Sequence, residues 1–499
     1  MRGRRSKVAK AVMEYGWWRR VSSRHTRSLD QILPVVTVTS LSQCQPHLAD
    51  GKLKFGNPHR LGRPVIFASP TGTRQRSRSN PCNGFACNIN EDLVKETADY
   101  MISTGRVHAR IFRQGELSNG GANCVIPNGP GLAAAGYNYV NLDDCWQNRR
   151  NVRGIIEADK KRFPSGIKAL ADYVHSKGLL IGIYSDAGIM TCQRRPGSLG
   201  FEIQDAKTYA GWGIDYLKYD NCYNLRLKAP PRYKAMRDAL NATGRPILYS
   251  VCNWGEEDPW LWGPEYANSW RTTDAFSASS ISAEKPCVQC SVLDILDRQI
   301  AITQYAAPGA FNDPDMLEIG NGGMTYEEYK THFTFWAALK SPLVIMISVK
   351  SSGYLVTPLS MLNSQIIVHP NSLIVGCDVR NMTADVIEIL TAPEVIAVNQ
   401  DPLGKSIRLV KKNVNVGTEL WVGPLQGGDL VAVLLNRGES AQPMTISWAS
   451  DLSMTDVTKL VVRDLWSRKD LGHFDQKYVA TDIPPHGIVM LRFSKQAEL

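Results

Sequence analysis

Residues 166–184, GIKALADYVHSKGLLIGIY, and residues 205–220, DAKTYAGWGIDYLKYD, decide the fold class. In the first stretch Gly166 to Ser176 carries the helical period and Leu179 to Tyr184 is a short, nearly unbroken apolar run, the pattern of a helix feeding a fully covered strand. The second stretch repeats the unit, with a helix over Asp205 to Gly211 and a strand over Tyr216 to Tyr219. Working outward, Glu91 to Ser103 and Pro231 to Asn241 read as helices. Tyr137 to Leu142, Pro246 to Val251, Ser269 to Thr272 and Pro342 to Ile347 read as strands. Strand and helix taking turns for about 250 residues predict a parallel sheet, and the count favours a closed (β/α)8 TIM barrel. A doubly wound dinucleotide fold is disfavoured, because no G-x-G-x-x-G follows the first strand. After Asn399 to Gly404 the helical period stops. Glu419 to Val422, Leu430 to Leu435, Met444 to Trp448 and Gly487 to Phe493 then alternate like strands of an antiparallel β-sandwich. The expected organisation is therefore a leader over 1–80, a barrel over 81–400 and a sandwich over 401–499.

The composition fits a large globular chain: 499 residues, 43% hydrophobic and 21% charged. The formal charge of +10 suggests a nucleic-acid partner until it is located along the chain. Residues 1–80 hold 16 Lys and Arg against 3 Asp and Glu, whereas the remaining 419 residues hold 41 against 44. The basicity thus belongs to an Arg-rich leader that reads as disordered, and neither nucleic acid nor membrane is expected as a partner. No run approaches the roughly 18 to 20 apolar residues that a membrane helix needs. Met1 to Arg20 lacks the apolar core of a secretory signal, while sequons stand at Asn241-Ala242-Thr243 and Asn381-Met382-Thr383.

Carboxylates recur where the predicted strands end. Asp143 and Asp144 follow Leu142, Asp220 follows Tyr219, Asp274 lies just past Trp270-Arg271, and Asp313 and Asp315 follow Ala310-Phe311. In a parallel barrel all such ends open on one face, so these groups should converge there with Tyr184, Lys218, Trp254 and Arg271. A single strand-end Asp is most simply a helix cap or a solvated loop residue; the set reads as a site. Paired carboxylates with aromatic neighbours suit glycoside hydrolysis, where one carboxylate attacks the anomeric carbon and the other protonates the departing oxygen. The nine His residues show no H-x-x-x-H or H-E-x-x-H spacing, and Cys287-x-x-Cys290 stands alone as a local disulfide or a pair of loop thiols. Gly320 to Gly323 lacks the Gly-Lys-Ser/Thr ending of a phosphate loop. Neither a metal nor an organic cofactor is expected.

Four runs carry a family likeness: Tyr139 to Trp146 (YVNLDDCW), Lys218 to Cys222 (KYDNC), Asn268 to Thr273 (NSWRTT) and Asn312 to Leu317 (NDPDML). With Gly178 to Gly188 and Val398 to Gly404, they resemble the α-galactosidase (melibiase) family of retaining glycoside hydrolases over most of residues 83–499. The resemblance implies a (β/α)8 barrel followed by a β-sandwich, and hydrolysis of terminal α-linked galactose with retention of configuration. It marks Asp220 as nucleophile and Asp143 and Asp144 as binders of galactose hydroxyls. Lys218, Arg271 and Asp315 match positions that hold the sugar ring, and Tyr184 and Trp254 its apolar wall. It also pairs Cys87 with Cys145 and Cys192 with Cys222, which points to an oxidising, extracellular or vacuolar compartment. Oligomeric state is not readable.

The chain departs from the family pattern in three places. The family sets its acid/base Asp four residues after the Arg of Trp-Arg, which here is Ala275; Asp274, one residue early, is the expected acid/base. The Gly-Trp-Asn-Ser-Trp stretch of the first barrel strand is replaced by Ser79-Asn80-Pro81-Cys82, with Pro64 to Ala68 as a distant substitute. Segments 106–131 and 346–375 interrupt the family run and, with 1–80, read either as retained intron and upstream sequence in the gene product or as surface loops. The departures keep two alternatives open: a related sugar specificity (α-N-acetylgalactosamine or β-L-arabinopyranose), and a galactose-binding relative with impaired catalysis.

Overall fold

The structure, a computed structural model, describes residues 87–103, 107–110, 123–126, 131–273, 290–342, 344–347, 374–375 and 378–495. The predicted leader, the substitute strand Pro64 to Ala68, and most of segments 106–131 and 346–375 lie outside the described residues. The same holds for Asp274 and Cys287.

Eight parallel strands form the central sheet: β1 (Tyr139–Leu142), β2 (Leu180–Asp186), β3 (Tyr216–Asp220), β4 (Leu248–Cys252), β5 (Ser269–Arg271), β6 (Phe311–Asp313), β7 (Val344–Ile347) and β8 (Ile374–Val375). Strands β1 to β6 are neighbours in chain order, as in a consecutively wound (β/α)8 barrel. Strand β7 does not follow β6. It pairs with the far side of β1, with Ile345 opposite Val140 and Ile347 opposite Leu142, and β8 pairs with β7 in turn. The place beside β1, left open by the absent first-strand motif, is thus taken by the segment that follows the last long barrel helix.

The amphipathic segments become the outer helices: α1 (Glu91–Ile102), α2 (Gly166–Ser176), α3 (Glu202–Trp212), α4 (Ala229–Ala242), α5 (Val292–Gln299) and α6 (Tyr326–Ala338). Their ends follow from local chemistry. Asn90 accepts from Leu93 N at 2.8 Å to start α1, and capping boxes start α5 (Ser291 with Asp294) and α6 (Thr325 with Glu328). Helix α2 buries Ile167, Leu170, Ala171 and Val174 against the sheet, so truncating Leu170 to Ala costs about 2 to 5 kcal/mol.

The C-terminal unit joins a six-stranded antiparallel sheet to a two-stranded one. The larger sheet orders β9 (Arg408–Asn413), β10 (Thr418–Pro424), β11 (Leu430–Asn436), β16 (Ile488–Lys495), β13 (Lys459–Asp464) and β14 (Lys469–Asp475); the smaller pairs β12 (Gln442–Ser447) with β15 (Lys477–Ile483). Leu420, Leu434, Leu460, Val462, Leu491 and Phe493 face the sandwich core. The alternate positions Trp421, Val431, Val433 and Met490 join the barrel's own core, and the Phe335 and Trp421 rings meet edge to face at 5.6 Å. Both faces of β11 are therefore covered, which is why LVAVLLN reads as continuous apolar sequence. Polar ties flank the junction: Trp466 Nε1 donates to Thr334 Oγ1 at 2.9 Å, and buried Glu419 meets Lys412 at 2.7 Å and Arg437 at 3.0 Å.

Candidate active site

Tyr184, Lys218 and Ser250 lie side by side across β2, β3 and β4, and two residues further along Asp186, Asp220 and Cys252 form the next rung. Side chains two apart share a face, so both rungs present the same side of the sheet at the C-terminal ends of its strands. Here Tyr184 donates its hydroxyl to Asp220 Oδ2 at 3.0 Å, and the hydroxyl lies 3.3 Å from Cys192 Sγ. Lys218 Nζ donates to Asp143 Oδ2 at 3.0 Å and stands 5.4 Å from the centre of the Tyr184 ring. Across the sheet Arg271 donates to Asp315, and its other terminal nitrogen is 3.8 Å from Cys252 Sγ. Lys218, Cys252, Arg271, Asp313, Asp315 and Met316 line one small cavity. Nine of the ten residues expected to converge are thus gathered at one end of the sheet, Asp274 lying outside the described residues, with Trp254 set against Cys252 and the Cys192–Cys222 pair.

The loops are held over this end by covalent and steric means. Disulfides join Cys87 to Cys145 and Cys192 to Cys222, the pairs that the resemblance implied. Gly255 has φ +77°, and a Cβ there would meet Thr272 O at 2.2 Å, so only glycine lets the loop carrying Trp254 press against the end of β5. Cys145, Trp254 and Asp315 themselves sit at φ of 79°, 62° and 86°, a concentration of strained non-glycine backbone at the site.

Burial dominates the electrostatics. It raises the Asp220 carboxyl above the ordinary value, while the Lys218 charge, the Asn221 N–H and the Tyr184 hydroxyl pull it back. Burial pushes Asp144 to about 6 against two backbone N–H donors, Gln193 and Cys145, and Asp313 to about 6 against the Arg271 charge. Lys218 is lowered by burial, but Asp143, Cys252 and Asp220 together raise it further, with a net upward shift that keeps it charged. The result is a pocket with two fixed cations among carboxylates of unequal acidity, an arrangement that can attack, hold and orient a polyol.

Asp186 is the residue that sequence reading missed. It is fully buried, and burial followed by the Asp220 charge raises its carboxyl well above the ordinary value. Its oxygens accept from Gly188 N at 2.7 Å and Cys222 N at 3.0 Å, tying the two loops that flank Asp220. The strand-end rule that found the other carboxylates applies to it as well, but strand β2 runs two residues beyond Tyr184, where the apolar run stops. Asp186 also lies near Cys192 and Cys222 in a spacing that suits a metal ion. The two sulfurs are bonded to each other and offer no thiolate, so this donor set does not fit one. Cys252, without an assigned partner in the sequence, is a buried free thiol facing the cavity.

Comparison with known proteins follows the same lines. A family model described as alpha galactosidase A matches residues 122–368, and one described as the alpha galactosidase C-terminal beta sandwich domain matches residues 416–493. Alpha-galactosidase 3 of Arabidopsis thaliana is 45% identical over 410 residues, covering 81% of this chain and 79% of the relative. Among solved structures, alpha-galactosidase I of Mortierella vinacea superposes with a TM-score of 0.69 at 38% identity, over 84% of this chain and 96% of that one. The Saccharomyces cerevisiae alpha-galactosidase solved with raffinose gives 0.68 at 30% identity, over 83% and 96%. With both domains matched in order and the shared length this large, the chain belongs to the alpha-galactosidase family of glycoside hydrolases.

Proposed function

We propose that the chain is a retaining exo-α-galactosidase that removes terminal α-linked galactose by double displacement. The observation that carries the reading is the Asp220 carboxylate: buried at a strand end, hydrogen-bonded by Tyr184 at 3.0 Å, and two residues from a lysine that keeps its charge. In the first step Asp220 attacks the anomeric carbon as Asp274, the residue after Thr273, protonates the departing oxygen. In the second, Asp274 takes a proton from water, and that water opens the galactosyl-enzyme. Asp143 and Asp144 accept from the 4-OH and 6-OH of galactose, so an analogue lacking either hydroxyl leaves a buried acceptor unpaired. Lys218, Arg271 and Asp315 hold the ring, and Tyr184 and Trp254 supply its apolar wall. The catalytic unit spans 81–400, interrupted by 106–131 and 346–375, and the sandwich spans 401–499.

The two disulfides support an oxidising compartment, extracellular or vacuolar. Among the described residues no helix is long and apolar enough to cross a membrane. The test is hydrolysis of an aryl α-galactoside by wild type and by Asp220→Asn. Turnover confined to wild type is expected. Turnover in both removes Asp220 as nucleophile, and galactose binding without turnover in either favours a lectin-like relative.

A further inference from the structure

We infer that Asn221, the residue after the nucleophile, is a positioning residue that ties the wall of the galactose pocket to the strand carrying Asp220. The inference rests on the roles proposed for Asp220 and Trp254 and adds the part that sets one against the other. Asn221 is completely buried, and both ends of its amide are engaged. Its Oδ1 accepts from Arg232 Nη2 at 2.6 Å, and its Nδ2 donates to Glu256 Oε2 at 2.9 Å. The guanidinium can only donate and the carboxylate can only accept, so the amide has one workable orientation between them. Bonds of this charge-assisted kind are stronger than those between neutral groups.

The bridge spans three elements. Arg232, on α4, also donates to Ala187 O at 3.1 Å and to Leu227 O and Lys228 O at 3.2 Å, so it does not swing. Its neighbour Tyr233 donates its hydroxyl to Asp220 O at 3.1 Å, and α4 thus grips the nucleophile's backbone. Glu256 lies two residues past Trp254 in the loop after β4. That loop is strained: Trp254, Gly255, Glu257 and Asp258 have φ of 62°, 77°, 58° and 53°. Non-glycine residues persist in this region only where their surroundings over-determine them. Gly255 N donates to Arg271 O and Glu256 N to Asn253 O, both at 3.1 Å, and Trp262 Nε1 donates to Glu257 O at 2.9 Å. The bond from Asn221 carries the hold across to the nucleophile's strand. Without it the loop has less to offset its strain, and Trp254 moves off the sugar. Asp220 keeps its own donors, because the Asn221 N–H, 2.9 Å from Asp220 Oδ1, and the Tyr184 hydroxyl both survive truncation of the Asn221 side chain.

The test is the dissociation constant for galactose, measured by titration calorimetry, beside the pH profile of kcat/KM for an aryl α-galactoside. Asn221→Ala and Glu256→Ala are each expected to weaken galactose about 10-fold, the scale of one hydrogen bond to a charged group. Glu256→Gln keeps an acceptor for Asn221 and is expected to stay within about threefold of wild type. The double variant is expected to be no weaker than either single one, because both remove the same bond. A purely structural defect lowers the amount of folded protein but leaves the dissociation constant unmoved. The acid limb of kcat/KM is expected to stay in place in Asn221→Ala. Galactose affinity unchanged in both single variants, or losses that add in the double variant, overturn the assignment. A displaced acid limb also overturns it, by putting the effect on the nucleophile instead of the wall. Glu256→Ala against Glu256→Gln decides the matter alone should Asn221→Ala fail to fold. Absence of wild-type turnover instead overturns the proposed function, and the calorimetric comparison still judges the bridge.

Discussion

The hydrogen bond from Tyr184 to Asp220 fixes where activity begins as pH rises. Tyr184→Phe keeps the ring and removes only the hydroxyl that sits 3.0 Å from Asp220 Oδ2. Burial already holds the Asp220 carboxyl above the ordinary range, and this hydroxyl is one of the groups drawing it back down. A hydrogen bond to a charged group contributes about 1.5 to 3 kcal/mol, and one pH unit corresponds to about 1.4 kcal/mol. Losing the bond disfavours the ionised form, which is the form that attacks, so the acid limb of kcat/KM moves to higher pH by about 1 to 2 units. Profiles of kcat/KM for an aryl α-galactoside across the acid range, wild type beside variant, give the answer directly. The stability side has the same sign. A carboxyl raised in the folded state favours folding below its unfolded value and loses that contribution as pH rises through the folded one, so the variant is weakened more at neutral than at acid pH. An acid limb that stays in place, or moves to lower pH, refutes the reasoning.

Asp144→Asn carries no charge to bury. Because the native group titrates near 6, against an unfolded value of about 3.9, wild type loses stability between those two pH values, and the variant should gain on it over that window; urea midpoints at its two ends measure the difference, and a gain by wild type on raising pH contradicts it. Replacing Cys192 and Cys222 by Ser opens a loop of sequence separation 30 and should cost about 3 to 4 kcal/mol in urea unfolding, together with most of the activity. Glu419→Leu leaves the buried Trp421 indole N–H unpaired and removes one of two acidic partners from Lys412 and Arg437, which both keep Asp297, and should cost about 1 to 3 kcal/mol. Glu394→Ala, which breaks the half-exposed pair with Arg463, should cost under about 1 kcal/mol by the same denaturation assay.

Much of the barrel was legible because each β/α unit carries its own signal: an apolar run for a buried strand, a 3.6-residue period for the helix that covers it. Strands β13, β14 and β15 were not read. Segments such as KDLGHFD expose alternate positions to water and carry no apolar alternation, so their pairing with β16 and β12, rather than their composition, makes them strands. Strand β6 is only three residues long, and the sequence marked it only by Ala310-Phe311 and the carboxylates that follow. In the site, the convergence of Asp143, Asp144, Asp220, Arg271 and Asp315 followed from one rule about strand ends. Asp186 escaped it through a two-residue error in where β2 stops. The position of β7 beside β1 could not be read at all: both strands are apolar, and the choice between neighbours is made by the sheet as a whole.

That position matters during synthesis. The partner of β1 emerges from the ribosome about 200 residues later, which at about 5 to 20 residues per second is a delay of roughly 10 to 40 seconds. Throughout that interval the nascent sheet carries a bare row of N–H and C=O groups along its first strand, the kind of edge on which two growing chains can zip together. Chains broken off before residue 344 never acquire the covering strand. Yield of folded protein should therefore depend on translation rate and on holdase chaperones more than the stability of the finished barrel suggests.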